Sequence, residues 1–132
     1  MVRDGVCVGL VRGDRMLVVT TSRHPDVWQP VGGGLKNAEG WRQAAIREVA
    51  EETGYTLSFD DLTEMIRLPM DAQDGTLVFF IAECPTGDPV INTKEITASR
   101  WVTKDEALML DAFPAARIFF TMWAVVKPDA GN

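Results

Sequence analysis

Basic residues are in the minority in this chain. Its 132 residues carry 13 Lys and Arg against 19 Asp and Glu, a formal net charge of −6. A surface that grips nucleic acid through its phosphates needs clustered Lys and Arg, so nucleic acid is not an expected partner. A small phosphate ligand that arrives with a cation stays open. Histidine is nearly missing: His24 stands alone in a proline-containing loop, which argues against a zinc centre. The two cysteines, Cys7 and Cys84, lie in unrelated apolar contexts and read as reduced core thiols rather than a disulfide. No hydrophobic run approaches the length of a membrane span; ahead of the C-terminal segment the longest is "LVFFIA", Leu77 to Ala82. The opening "MVRDGVCVGLVRGDRM" is broken by charge every few residues, so no signal-peptide core fits it. These absences favour a cytoplasmic enzyme or binding protein with no membrane partner.

What is present is enough for one core. The length suits a single domain over residues 1–132, and 46% of the residues are hydrophobic. "GVCVGLVRGDRMLVVTT" reads as two strands around an Arg12-Gly13-Asp14 turn. A loop rich in glycine and proline follows, with one short strand near Val31. "WRQAAIREVAEETG" reads as a helix closed by Gly54. "TEMIRLPM" and "TLVFFIAEC" form a strand pair joined through Asp74-Gly75, and "ASRWVT" a further short strand. "KDEALML" is a short helix, and "PAARIFFTMWAVV" is an apolar helix with a proline in its first turn. Core packing on the sheet is the reading for that last helix, with a dimer contact as the alternative, so the chain is a monomer or a homodimer. The order of elements predicts an α/β fold, a mixed sheet with helices packed against it.

The densest charge lies in "REVAEETGY", where Glu48, Glu51 and Glu52 fall within five residues. On a helix Glu52 lies about 40° to one side of Glu48 and Glu51 about 60° to the other, so the three share one arc. Such a face is either solvated surface or a cation site. A solvated face interleaves Lys at i+4 spacing, whereas here the near cation is Arg47. Carboxylates without His or thiolate partners are hard ligands, suited to Mg²⁺ or Mn²⁺. Directly ahead of the helix, "VGGGLKNAEG" supplies consecutive glycines that let backbone approach a ligand closely. That loop matches neither the P-loop nor the dinucleotide fingerprint.

Taken together, the two segments resemble the signature of the Nudix hydrolases. That signature is a glycine, five residues, a glutamate, seven residues, then Arg-Glu-aliphatic-any-Glu-Glu-any-Gly-aliphatic. Its places hold Gly33, Glu39, Arg47, Glu48, Val49, Glu51, Glu52, Gly54 and Tyr55. Tyr55 departs from the aliphatic position, where it is expected to matter only for packing. Lys36 stands where many members carry an acid, Ala38 where they often have glycine, and Pro30 one place earlier than a common proline. The resemblance implies a Nudix-type α/β/α sandwich with the mixed sheet between helices.

It also implies a reaction: Mg²⁺- or Mn²⁺-dependent hydrolysis of a phosphoanhydride bond in a nucleoside diphosphate linked to another group. By motif position, Glu48 and Glu52 would be the principal metal ligands, with Glu51 and the Gly32 carbonyl in addition. Arg47 would orient a box glutamate, and Glu39 would hold the loop through Arg47. Glu48 and Glu95 are the candidates for general base; Glu95 has plain solvent exposure as its alternative. Gly33, Gly34 and Lys36 are candidate substrate contacts, and Trp28 either stacks on a base or belongs to the core. "WQPVGGG" is similar to the segment found in dihydroneopterin-triphosphate and related triphosphate-cleaving members. A nucleoside or nucleoside-like triphosphate, cleaved to monophosphate and pyrophosphate, is therefore the first expectation for the substrate. Pro69 lies near a proline associated with ADP-ribose hydrolysis, so an ADP-ribose or nucleotide-sugar pyrophosphatase is the alternative. A silent nucleotide-binding domain is the reading from another class.

Overall fold

Strand β1 (Gly5–Arg12) organises the sheet in the computed structural model, which describes residues 3–70 and 74–126. The chain continues through β2 (Arg15–Thr21), β3 (Val31–Gly34) and helix α1 (Trp41–Thr53). After a turn of 3-10 helix (Phe59–Asp61) come β4 (Thr63–Pro69), β5 (Thr76–Glu83) and β6 (Ile96–Thr103), then α2 (Lys104–Leu108) and α3 (Pro114–Val125). Along one edge β1 runs parallel to β5, from Gly5 opposite Leu77 to Val11 opposite Glu83. Its other edge is shared: Gly5 to Val8 pair with β3, and Val11 and Arg12 with β2, both antiparallel. With β4 beside β5 and β6 beside β2, the order is β4-β5-β1-β2-β6, and β3 lies against β1.

Alternation along the strands separates two cores, as the two faces of a buried sheet require. Val6, Val8 and Leu10 of β1 join Leu17 and Val19 of β2, Val78 and Phe80 of β5, and Ala44, Ala45 and Val49 of α1. The intervening residues Cys7, Met16, Val18 and Phe79 instead pack with Ala107 and with Ala116, Phe119, Phe120 and Trp123 of α3. The result is the expected α/β/α sandwich. Helix α3 starts with Pro114 in its first turn and buries its apolar face on the sheet, leaving Ile118 exposed. Cys7 and Cys84 are both buried free thiols. Among the described residues no helix is long and apolar enough to cross a membrane.

Two element boundaries differ from the sequence reading by two residues. β6 begins at Ile96 rather than at Ala98, because Ile96 is buried and pairs with Thr21 across a register shift in β2. α2 ends at Leu108, two residues earlier than expected. Part of the predicted connection between β4 and β5, residues 71–73, lies outside the described residues.

Between β3 and α1 the backbone turns at Ala38 with φ 62°, a left-handed conformation that crowds a Cβ. Ala38→Gly is expected to raise stability by about 1 kcal/mol, because it relieves that crowding. Urea unfolding should show a higher midpoint and an unchanged slope.

Candidate active site

Helix α1 carries the glutamates to the glycines of β3. It ends as its sequence dictates: Gly54 adopts φ 78°, and its N–H donates to the Ala50 carbonyl at 3.0 Å. One turn apart, Glu48 and Glu52 are both buried, 8% and 2% exposed. This is possible because β3 has no side chain in the way. A Cβ on Gly33 would fall onto the Glu48 carboxylate, and the Gly32 N–H donates to Glu52 Oε2 at 2.8 Å. The contact observed at Gly32 is thus made by its amide.

Arg47 locks the approach to this pair. Its Nε and Nη2 fork onto the two oxygens of Glu39 at 2.8 and 2.9 Å, and Nη2 also donates to the Gly34 carbonyl at 2.9 Å. Nη1 donates to Glu48 Oε1 at 2.8 Å and to Glu51 Oε2 at 3.2 Å. Such bidentate, charge-assisted bonds fix geometry as well as charge. They hold the Glu39 carboxyl down at about 2, with the Lys36 N–H adding a bond to Glu39 Oε1 at 3.0 Å. Arg47 thus contacts both of the partners expected for it, Glu39 and a box glutamate.

Electrostatics single out Glu52. Burial, then the neighbouring Glu48 carboxylate, push its pKa up to about 9, against the opposing Gly32 N–H. Burial also raises Glu48, while Arg47 opposes the rise. Among the described residues no ion pair reaches Glu52. Nor do three His, Cys, Asp or Glu side chains there form a ready-made cage for an ion. Glu51 explains part of this: it is more exposed than the other two and turned to Arg47, so the three-glutamate arc is not closed around one point. The donor set still fits a hard divalent cation, because two buried carboxylates repel each other and only one has an ionic partner.

The remaining candidates fall in different places. Glu95 is exposed, at the end of a segment that crosses the end of α1; its charge adds to the rise of both Glu48 and Glu52. Lys36 is exposed on the loop ahead of α1. Trp28 is half-buried and packs with the α3-side core, with the Arg100 guanidinium 5.5 Å over its ring. His24 is exposed and meets the Phe113 ring edge-on.

Tyr55 requires a correction, since it does more than pack. Its hydroxyl donates to the Gly87 carbonyl at 2.6 Å and accepts from Arg12 Nη2 at 3.1 Å. Neither contact was legible in the sequence beyond one signal, a phenol where the family pattern has an aliphatic chain.

Comparison with known proteins accords with this arrangement. The NUDIX domain family model matches residues 1–123. Mouse diphosphoinositol polyphosphate phosphohydrolase 3-alpha is 36% identical over 76 residues, 58% of this chain and 46% of that protein. The NAD-capped RNA hydrolase NudC of Shigella flexneri is 29% identical over 106 residues, 80% of this chain and 40% of that protein. Both matches therefore span less than half of the relative's own length. In fold, the chain superposes on a MutT NUDIX hydrolase from Burkholderia pseudomallei with a TM-score of 0.76, covering 96% of this chain and 99% of the other at 23% identity. A family match over nearly the whole chain, on a sandwich whose glutamate helix abuts a glycine strand, leaves one assignment: the chain belongs to the Nudix family.

Proposed function

We propose that residues 1–132 work as one domain, a divalent-metal-dependent pyrophosphohydrolase acting on a nucleoside diphosphate derivative. The substrate class we favour is a nucleoside or nucleoside-like triphosphate, cleaved to the monophosphate and pyrophosphate. The observation that carries this reading is the Glu48–Glu52 pair, buried against β3 with too little positive charge to balance it. Glu48 and Glu52 would hold Mg²⁺ or Mn²⁺, with Glu51 and the Gly32 carbonyl completing the oxygen set. Bound there, the ion supplies positive charge to the pyrophosphate oxygens and acidifies water.

The chain's own residues do the rest. Arg47 keeps one oxygen of Glu48 fixed, and Glu39 keeps Arg47 fixed. Glu48 and Glu52 each have an oxygen committed to a donor, Arg47 or Gly32, whereas Glu95 is exposed beside them. Glu95 therefore takes the proton of the attacking water. The water oxygen bonds to phosphorus while the bond from that phosphorus to the bridging oxygen breaks, and pyrophosphate leaves. Lys36, with the backbone of Gly33 and Gly34, meets phosphate oxygens. Trp28, with its ring covered by Arg100, is left out of the substrate set.

The names of the relatives specify two different substrates, so a panel decides. It should contain NTPs, dNTPs, oxidised dNTPs, ADP-ribose, nucleotide sugars, dinucleoside polyphosphates, NAD and a diphosphoinositol polyphosphate, each with Mg²⁺ or Mn²⁺. Pyrophosphate release from a triphosphate is the expected result. Preferential cleavage of ADP-ribose or a nucleotide sugar would replace the substrate assignment, and no turnover of any member would leave a binding-only domain.

A further inference from the structure

Residues 84–95 leave the end of β5, cross the C-terminal end of α1 and enter β6. The crossing is tied down along its length. Cys84 N–H donates to the Val11 carbonyl at 2.7 Å, Val90 N–H to Thr53 at 2.8 Å, and Asn92 N–H to Glu52 at 3.0 Å. At the far end Ser22 N–H donates to the Glu95 carbonyl at 3.0 Å. Thr53 and Glu52 offer carbonyls from the last turn of α1, which the helix cannot satisfy internally. The segment therefore acts as a strap: it caps the helix that carries Glu48 and Glu52, and it ends on Glu95.

Two side chains from elsewhere fasten the first half of the strap. Arg12, the last residue of β1, turns Nη2 towards the carbonyls of Pro85 and Gly87, both at 2.6 Å, and towards Cys84 Sγ at 3.4 Å. Its guanidinium lies 5.0 Å over the Trp101 ring, which limits where it can go. Tyr55 donates to the same Gly87 carbonyl and is 6% exposed. A leucine or valine at this position would fill the space but offer no hydroxyl. The departure of Tyr55 from the family pattern thus coincides with a specific polar contact on the strap.

We propose that Tyr55 and Arg12 are positioning residues for hydrolysis: their staple on Gly87 sets the course of residues 84–95 and so places Glu95 beside Glu48 and Glu52. The inference rests on the reading of Glu95 as the base. Tyr55→Phe removes one oxygen and keeps the buried ring, so it isolates the staple from packing.

The test is a double-mutant cycle of Tyr55→Phe with Glu95→Gln, joined to amide hydrogen exchange of the metal-free proteins. Tyr55→Phe should speed exchange at Val90 and Asn92 about tenfold while Val49, inside α1, is unchanged. In the wild-type background it should lower kcat about tenfold with KM within about twofold. In the Glu95→Gln background the same change should cost less than about twofold in kcat, since the group it positions is gone. An equal loss in both backgrounds would mark Tyr55 as a general structural residue and overturn the proposal, as would unchanged exchange at Val90 and Asn92. An inactive wild type sinks the hydrolase reading, and the positioning role with it. An active wild type with an additive or absent Tyr55→Phe effect overturns this inference alone.

Discussion

Glu52→Gln is expected to lower turnover by about three orders of magnitude or more, roughly 4 kcal/mol of barrier, while the fold persists. Glutamine keeps the shape and can still accept the Gly32 N–H, but it removes the charge that a cation needs. The same substitution should change how metal-free stability depends on pH. In the folded protein Glu52 holds its proton up to about pH 9, whereas its ordinary value is 4.5. Below the lower value both folded and unfolded chains are protonated, and burial carries no charge penalty. Between the two values the unfolded chain releases a proton that the folded chain retains. Stability therefore falls as pH rises, by up to about 1.4 kcal/mol per pH unit. Metal-free wild type should lose urea midpoint between pH 6 and 8. Glu52→Gln should show a shallower slope, the remainder coming from Glu48, whose pKa is also raised. Mg²⁺ should stabilise the wild type and leave the variant nearly unmoved. Near-normal turnover, or identical pH slopes in the two proteins, would count against the cation role of Glu52.

Glu95→Gln should reduce kcat by about a hundredfold or more, the usual contribution of a positioned general base. Because Glu95 is exposed rather than packed, the variant should unfold at the wild-type urea concentration. Mn²⁺ affinity, read by paramagnetic resonance, should change little, which separates loss of a base from loss of a ligand. A reduction below about tenfold, roughly 1.4 kcal/mol, would exclude Glu95 as the essential base and return that role to Glu48.

Local spacing was the part most readable in advance. The strand pair of β1 and β2, the helix stopped by Gly54 and the succession of glutamates are written in residues a few places apart, where geometry follows from one turn or one pleat. Ala38 was legible only as a departure from a frequent glycine; its positive φ came from the structure. Features that depend on distant partners were not readable. Arc arithmetic treated Glu48, Glu51 and Glu52 alike, but burial against Gly32 and Gly33 takes two of them and Arg47 turns the third. Trp28 left two readings open because its partners are distant in sequence: its backbone N–H donates to the Asp111 carbonyl and Arg100 covers its ring. Tyr55 looked like a packing substitution because the carbonyl it meets lies 32 residues away.

The parallel edge of β1 bears on how the molecule can be made. Its parallel partner β5 is translated only after α1 and β4, so the nascent N-terminal half carries a valine-rich strand with one whole row of amide groups unpaired. Closing so large a loop before any reward is collected makes folding slow and late. A ribosome stalled ahead of Thr76 would hold out a sticky ribbon, and chaperone capture or aggregation would compete for it until the sheet could be completed.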